Sequence, residues 1–176
     1  MRLPIGLTTS LDDETKSFIQ QQEVRTLDIS HNKPITPDMG ITMSYIANEI
    51  DIAIETNFLP HKKLSTQAVE KLTLKLIESF LVFGTKTLDP TNLKDPRKTY
   101  DPAFWNKIDK ISHIQAPILI VKDTKTHGWE FETSRDLTTL LSETTGYPFW
   151  ITSKNLNFLT YMDDHDCVYT SEATPI

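Results

Sequence analysis

The sequence predicts an α+β fold in which N-terminal helices, paired as a helical hairpin, pack on a small mixed, mainly antiparallel C-terminal sheet. Three observations predict it. Apolar residues recur every three to four positions between residues 39 and 81, whereas after Pro117 they fall in short β-branched or alternating runs. Prolines at 90 and 96 separate the two regimes. The 176 residues, 38% hydrophobic with mean hydropathy −0.33, suffice for one core. One domain is expected over 1–176, mainly helical over 1–100 and mixed over 101–176.

Taken in order, Thr9-Ser10 caps a helix through Leu11, Glu14, Phe18 and Ile19, with Asp12, Asp13 and Glu14 in the first turn. It fades near Val24, and Arg25 to Pro34 reads as a short extended piece and a loop. Thr36-Pro37-Asp38 has the form of N-cap, N1 proline and acid, opening a helix along Met39, Met43, Ile46, Ile50, Ala53 and Ile54. Asn57 to Lys63 reads as a connection. Ser65 caps the next helix, whose Val69, Leu72, Leu76, Ile77, Phe80 and Leu81 share a face, and Gly84 stops it.

Thr85 to Tyr100 is expected to be a connection. Asp101-Pro102 opens a short helix through Phe104, Trp105 and Ile108, with Trp105 as a core anchor. Ile118 to Val121 is a strand, Lys122 to Gly128 a turn, and Trp129 to Thr133 a second strand, with Trp129, Phe131 and Thr133 on one side and Glu130 and Glu132 on the other. Thr133 or Ser134 caps a helix with Leu137, Leu140 and Leu141 on one face, ended by Gly146. Pro148 to Thr152 returns as a strand, and Phe158 to Met162 pairs with Cys167 to Thr170 across Asp163-Asp164-His165-Asp166. The tail from Ser171 is expected to be loosely held.

Composition excludes several function classes. No apolar run reaches the roughly 18 residues of a membrane span, and Met1 to Leu7 is too short for a signal peptide, so a mature chain beginning near Met1 is expected. A single cysteine, Cys167, rules out an internal disulfide and any multi-cysteine zinc or iron–sulfur site, which fits a reducing cytoplasm. Gly-x-Ser-x-Gly, Gly-x-Gly-x-x-Gly and Gly-x-x-x-x-Gly-Lys patterns are all absent, so neither a serine-nucleophile elbow nor a standard nucleotide loop is expected. Acids beside Cys167 oppose an activated thiolate. No cofactor is implied.

Charge is distributed unevenly. Residues 127–176 hold eight acids (Glu130, Glu132, Asp136, Glu143, Asp163, Asp164, Asp166, Glu172) and two bases (Arg135, Lys154), and so carry the whole net charge of −6. That balance disfavours nucleic-acid binding and suits a basic protein partner, with a solvated acidic surface as the plain alternative. Aromatic residues among acids resemble interface anchors, which nominates Glu130, Glu132, Trp150, Tyr161, Asp163, Asp164, His165 and Asp166 as partner-binding. Trp129 belongs with the core on alternation, while Trp150 is open. A second chemistry is metal-assisted hydrolysis by His127, Glu130, Asp163 and His165, with the metal generating hydroxide; its alternative is a polar turn whose Asp residues satisfy backbone N–H groups. A third is a homodimer through the Met39, Met43, Ile46 stripe.

The segment Trp129 to Thr133, Asp136-Leu137 to Leu141, Tyr147 to Thr152 and Phe158-Leu159 to Asp164-His165-Asp166 resembles immunity proteins of bacterial polymorphic and contact-dependent toxin systems. The resemblance spans about the last 50 residues. It implies a cytoplasmic inhibitor that covers a toxin domain, often a basic nuclease, without catalysis of its own, and it transfers no catalytic residue.

Overall fold

The computed structural model describes residues 44–173, all within one compact unit, Ile41–Ile176. The helix expected over residues 11–24, the extended piece after it, and the Thr36-Pro37-Asp38 cap lie outside the described residues. Among the described residues no helix is long and apolar enough to cross a membrane.

Helix α1 spans Tyr45–Thr56 and buries Ala47, Ile50, Ala53 and Ile54. Strand β1, His61–Lys63, follows, and α2 runs Thr66–Phe80, with the Ser65 hydroxyl accepting from the Ala68 N–H as expected of a cap. After a 3-10 turn at Pro90–Asn92 come β2, Arg97–Tyr100, and a longer 3-10 helix, Phe104–Lys110. Strands β3, Pro117–Lys122, and β4, Thr126–Phe131, form a hairpin. Helix α3, Ser134–Ser142, opens on a reciprocal capping box in which Thr133 and Asp136 each accept the other's N–H. Strands β5, Phe149–Ser153, β6, Phe158–Met162, and β7, Cys167–Glu172, follow.

The seven strands among the described residues form one sheet in the order β1-β4-β3-β5-β6-β7-β2, and every pair is antiparallel. Alternation sends Leu119, Val121, Trp129, Phe131, Phe149, Ile151, Phe158 and Met162 to one face, where they pack with α1, α3 and the Phe104–Lys110 turn. Ile118, Ile120, Trp150 and Leu159 face the other way, against Leu76 and Phe80 of α2 and Leu81 and Leu93 beyond it. Helices therefore cover both faces of a central sheet.

Several expectations need correction. The helical hairpin does not form, because α1 and α2 pack on opposite faces of the sheet with β1 between them in sequence. A division at residue 100 is also absent: β1 and β2, expected to be connections, are the two outer strands of the same sheet. Their side chains are exposed, so no apolar pattern announced them. Strand β4 begins at Thr126, ahead of the expected Trp129, because the turn needs only Asp123 to Lys125, where the Asp123 N–H donates to the Lys125 carbonyl at 2.9 Å. Ser171 and Glu172 are not loose: β7 continues to Glu172, and the buried Ser171 hydroxyl donates to the Lys94 carbonyl at 2.8 Å, while residues 174–176 lie outside the described residues. Trp105 is half-buried at the margin of the core rather than its anchor.

Candidate functional site

The β6–β7 turn is built by Asp163. One carboxylate oxygen accepts the N–H groups of His165 at 2.9 Å and Cys167 at 2.8 Å, and the Asp163 N–H donates to the Cys167 carbonyl at 3.0 Å. The Tyr169 hydroxyl reaches its other oxygen at 3.4 Å. Asp166 takes the left-handed conformation that closes the loop, with φ 62°. Asp164 stands exposed, its carboxylate 2.7 Å from His165 Nδ1.

These residues rim a pocket of about 350 Å³. Trp105, Leu141, Tyr147, Phe149 and Met162 supply its apolar wall, Ser142, Thr144, Thr145 and Gly146 its polar wall, and Asp163, Asp164 and Asp166 its charged edge. Register explains the juxtaposition, since Phe149 pairs with Met162 immediately before the acidic turn. The wall is held from behind: Thr144 Oγ1 lies 3.1 Å from the Tyr147 hydroxyl, and the Thr145 hydroxyl donates to Glu49 of α1 at 2.8 Å. Burial pushes the Tyr147 phenol far above its ordinary range, so it stays neutral. Burial and the neighbouring Asp163 also raise Tyr161. Among the described residues no lysine or arginine lines this pocket, so three carboxylates share its mouth.

The expected partner-binding set does not assemble. Asp163, Asp164, His165 and Asp166 are together, and half-buried Tyr161 lies next to them in β6. Glu130 and Glu132 are not: β4 is three strands from β6, about 14 Å at the usual spacing, and their end of the sheet is the opposite one. Glu130 also pairs with Lys154, which offsets its charge. Trp150 is only 4% exposed and packs on Tyr161 with ring centroids 4.5 Å apart, so it belongs to the core beneath α2. Alternation did place Trp129 correctly, fully buried, with Glu130 on the other side; its indole N–H donates to Asp51 at 2.9 Å.

The four residues expected to share a metal are likewise dispersed. His127 projects to the α1 face, its ring stacked on Trp129 and its Nε2 3.0 Å from the Ser44 hydroxyl, three strands from the acidic turn. Burial and the Lys63 charge lower its pKa. Among the described residues Asp163, Asp164 and His165 are the one group of three that brings ligand atoms within 4.8 Å of one another, and the turn's own N–H groups already engage Asp163. Ser44, Asp123 and His127 also meet, but as a helix cap: Asp123 accepts the Ser44 hydroxyl at 2.9 Å and the Ile46 N–H at 3.0 Å. The Ser44 bond is the main cause of the low Asp123 pKa. Of the proposed dimer stripe, Ile46 packs against the core and Met39 and Met43 lie outside the described residues.

Sequence reasoning missed Trp105, Tyr147 and Phe149 as pocket residues. Only the strand register after Gly146 could have joined Phe149 to Met162 and so to the turn. Comparison with protein-family models, curated proteins and solved structures finds no match.

Proposed function

We propose that the chain is a cytoplasmic immunity-type binding protein that neutralises a cognate bacterial toxin by covering a basic surface, without catalysis of its own. The observation that carries this reading is the acid-rimmed aromatic pocket between the β6–β7 turn and the α3–β5 loop. Three carboxylates, with no lysine or arginine among the described lining residues, make a locally negative field, and the apolar wall beneath offers the desolvated contact that charged surfaces need for affinity. A lysine or arginine of the partner satisfies both, with its aliphatic stem on Trp105 and Phe149 and its head at the aspartates. The proposed docking surface is therefore narrower than the full set of acids that residues 127–176 carry.

Co-expression with the product of an adjacent toxin-like reading frame tests the reading. Protection of the host and a complex whose association slows with salt are expected, and Asp164→Lys with Asp166→Lys should slow association at least tenfold. A neighbour that is neither toxic nor bound overturns it.

A further inference from the structure

A second cleft, of about 610 Å³, lies on the opposite face of the sheet, between α2 and the turn joining β3 to β4. Its origin is local. The helix rides close to the sheet at Gly128, where an added Cβ would stand 3.1 Å from Leu64 and 3.3 Å from Val69. Towards the β3–β4 turn the described lining narrows to Thr126 and the outward Lys125 of the turn, and among the described residues no larger side chain lines that end of the cleft.

Val69, Thr73 and Ile77 recur every four residues and form one wall, a stripe about 12 Å long at the helical rise. Leu74, 66% exposed, extends the apolar surface at the rim. Lys86, after α2, and Lys125 bring two positive charges to the lining, against one carboxylate, Glu70. The excess is one positive charge.

We infer that this cleft binds a free aliphatic carboxylate of fatty-acid type, with its chain along Val69, Thr73 and Ile77 and its carboxylate at Lys86 and Lys125. The volume falls within the few hundred to about 1,000 Å³ usual for small-ligand sites, and an apolar stripe in a lining with a single excess cation selects a singly charged amphiphile over a polyanion. An acidic protein segment needs a broader basic field than two lysines beside Glu70 supply. The assignment is independent of the acidic pocket, which lies against the other set of helices.

Titration calorimetry of the full chain with sodium decanoate, kept below its micelle concentration, tests it. Saturable binding of one decanoate per chain is expected, at least tenfold weaker for decanol and for hexanoate. Lys86→Glu with Lys125→Glu should weaken decanoate binding at least tenfold while the circular dichroism spectrum and urea midpoint stay near those of the parent. Ile77→Trp, which fills the stripe, should abolish binding without removing the lysines. Absence of saturable binding overturns the inference, as does decanoate affinity unchanged by the double lysine reversal. Binding to phosphatidylglycerol vesicles but not to decanoate assigns the surface to membranes and also overturns it.

Discussion

Asp163 and Cys167 close the β6–β7 turn on each other twice, the carboxylate taking the Cys167 N–H at 2.8 Å and the Cys167 carbonyl taking the Asp163 N–H at 3.0 Å. One side chain thus holds the acidic turn in shape, and its neighbours Asp164 and Asp166 are left to face solvent or a partner. Asp163→Ala leaves two turn N–H groups without their acceptor and should cost about 1–3 kcal/mol in urea denaturation. Asp164→Ala, on an exposed residue, should stay within about 0.5 kcal/mol. Equal effects from the two would dismiss the organising role of Asp163.

In the proposed interface, the half-buried Trp105 is the position at which recognition can be tested apart from folding. Trp105→Ala opens the pocket wall, and weaker partner binding by about 2 kcal/mol, the scale of an interface anchor, is the expected outcome in competition binding. Phe149→Ala, from a residue 4% exposed, should instead unfold the chain more easily, by about 3–5 kcal/mol. Partner affinity unaltered by Trp105→Ala would remove the pocket from the interface.

His127 sets a pH dependence. Burial lowers its folded-state pKa below the ordinary 6.5, so the unfolded chain takes up the proton first as pH falls. The contribution is fully present above about 6.5, the unfolded value, and is lost as pH drops through the folded pKa. Urea midpoints measured from pH 7.5 to 5 should decline for the parent and decline less for His127→Gln. Parallel declines would assign the acid sensitivity elsewhere.

Gly128 lets α2 approach the sheet. Gly128→Ala places a methyl group 3.1 Å from Leu64 and 3.3 Å from Val69, and the helix must yield by a few tenths of an ångström. A loss of about 1 kcal/mol is expected, and Gly128→Val should cost about 1–3 kcal/mol. Undiminished stability of the valine variant would show that the helix sits less tightly than the geometry implies.

Elements with an apolar period were legible, and those without one were not. Ser65 and Thr133 announced α2 and α3 because a cap followed by spaced leucines is a local signal. Ile118 to Val121 and the Asp163 turn were equally local. His61–Lys63 and Arg97–Tyr100 gave no warning, because an outer strand with exposed side chains owes its place to a neighbour's free N–H and C=O groups rather than to its own composition. The hairpin failed for the same kind of reason: two amphipathic helices adjacent in sequence reveal that each has a core-facing side, but not that the sheet lies between them. In the candidate site, the aspartates were visible as a cluster. Glu130 was grouped with them only because sequence distance hides two intervening strands.

Pro96 and Pro102 bracket β2, the strand that ends the sheet next to β7. The Asp101 N–H turns inward to the Asp166 carbonyl, so by alternation the outward positions are 98 and 100, and the prolines on either side lack the donor that would prolong a ladder. At most two amides remain to greet an arriving strand. Replacing those prolines would restore outward donors and lengthen the margin open to another strand.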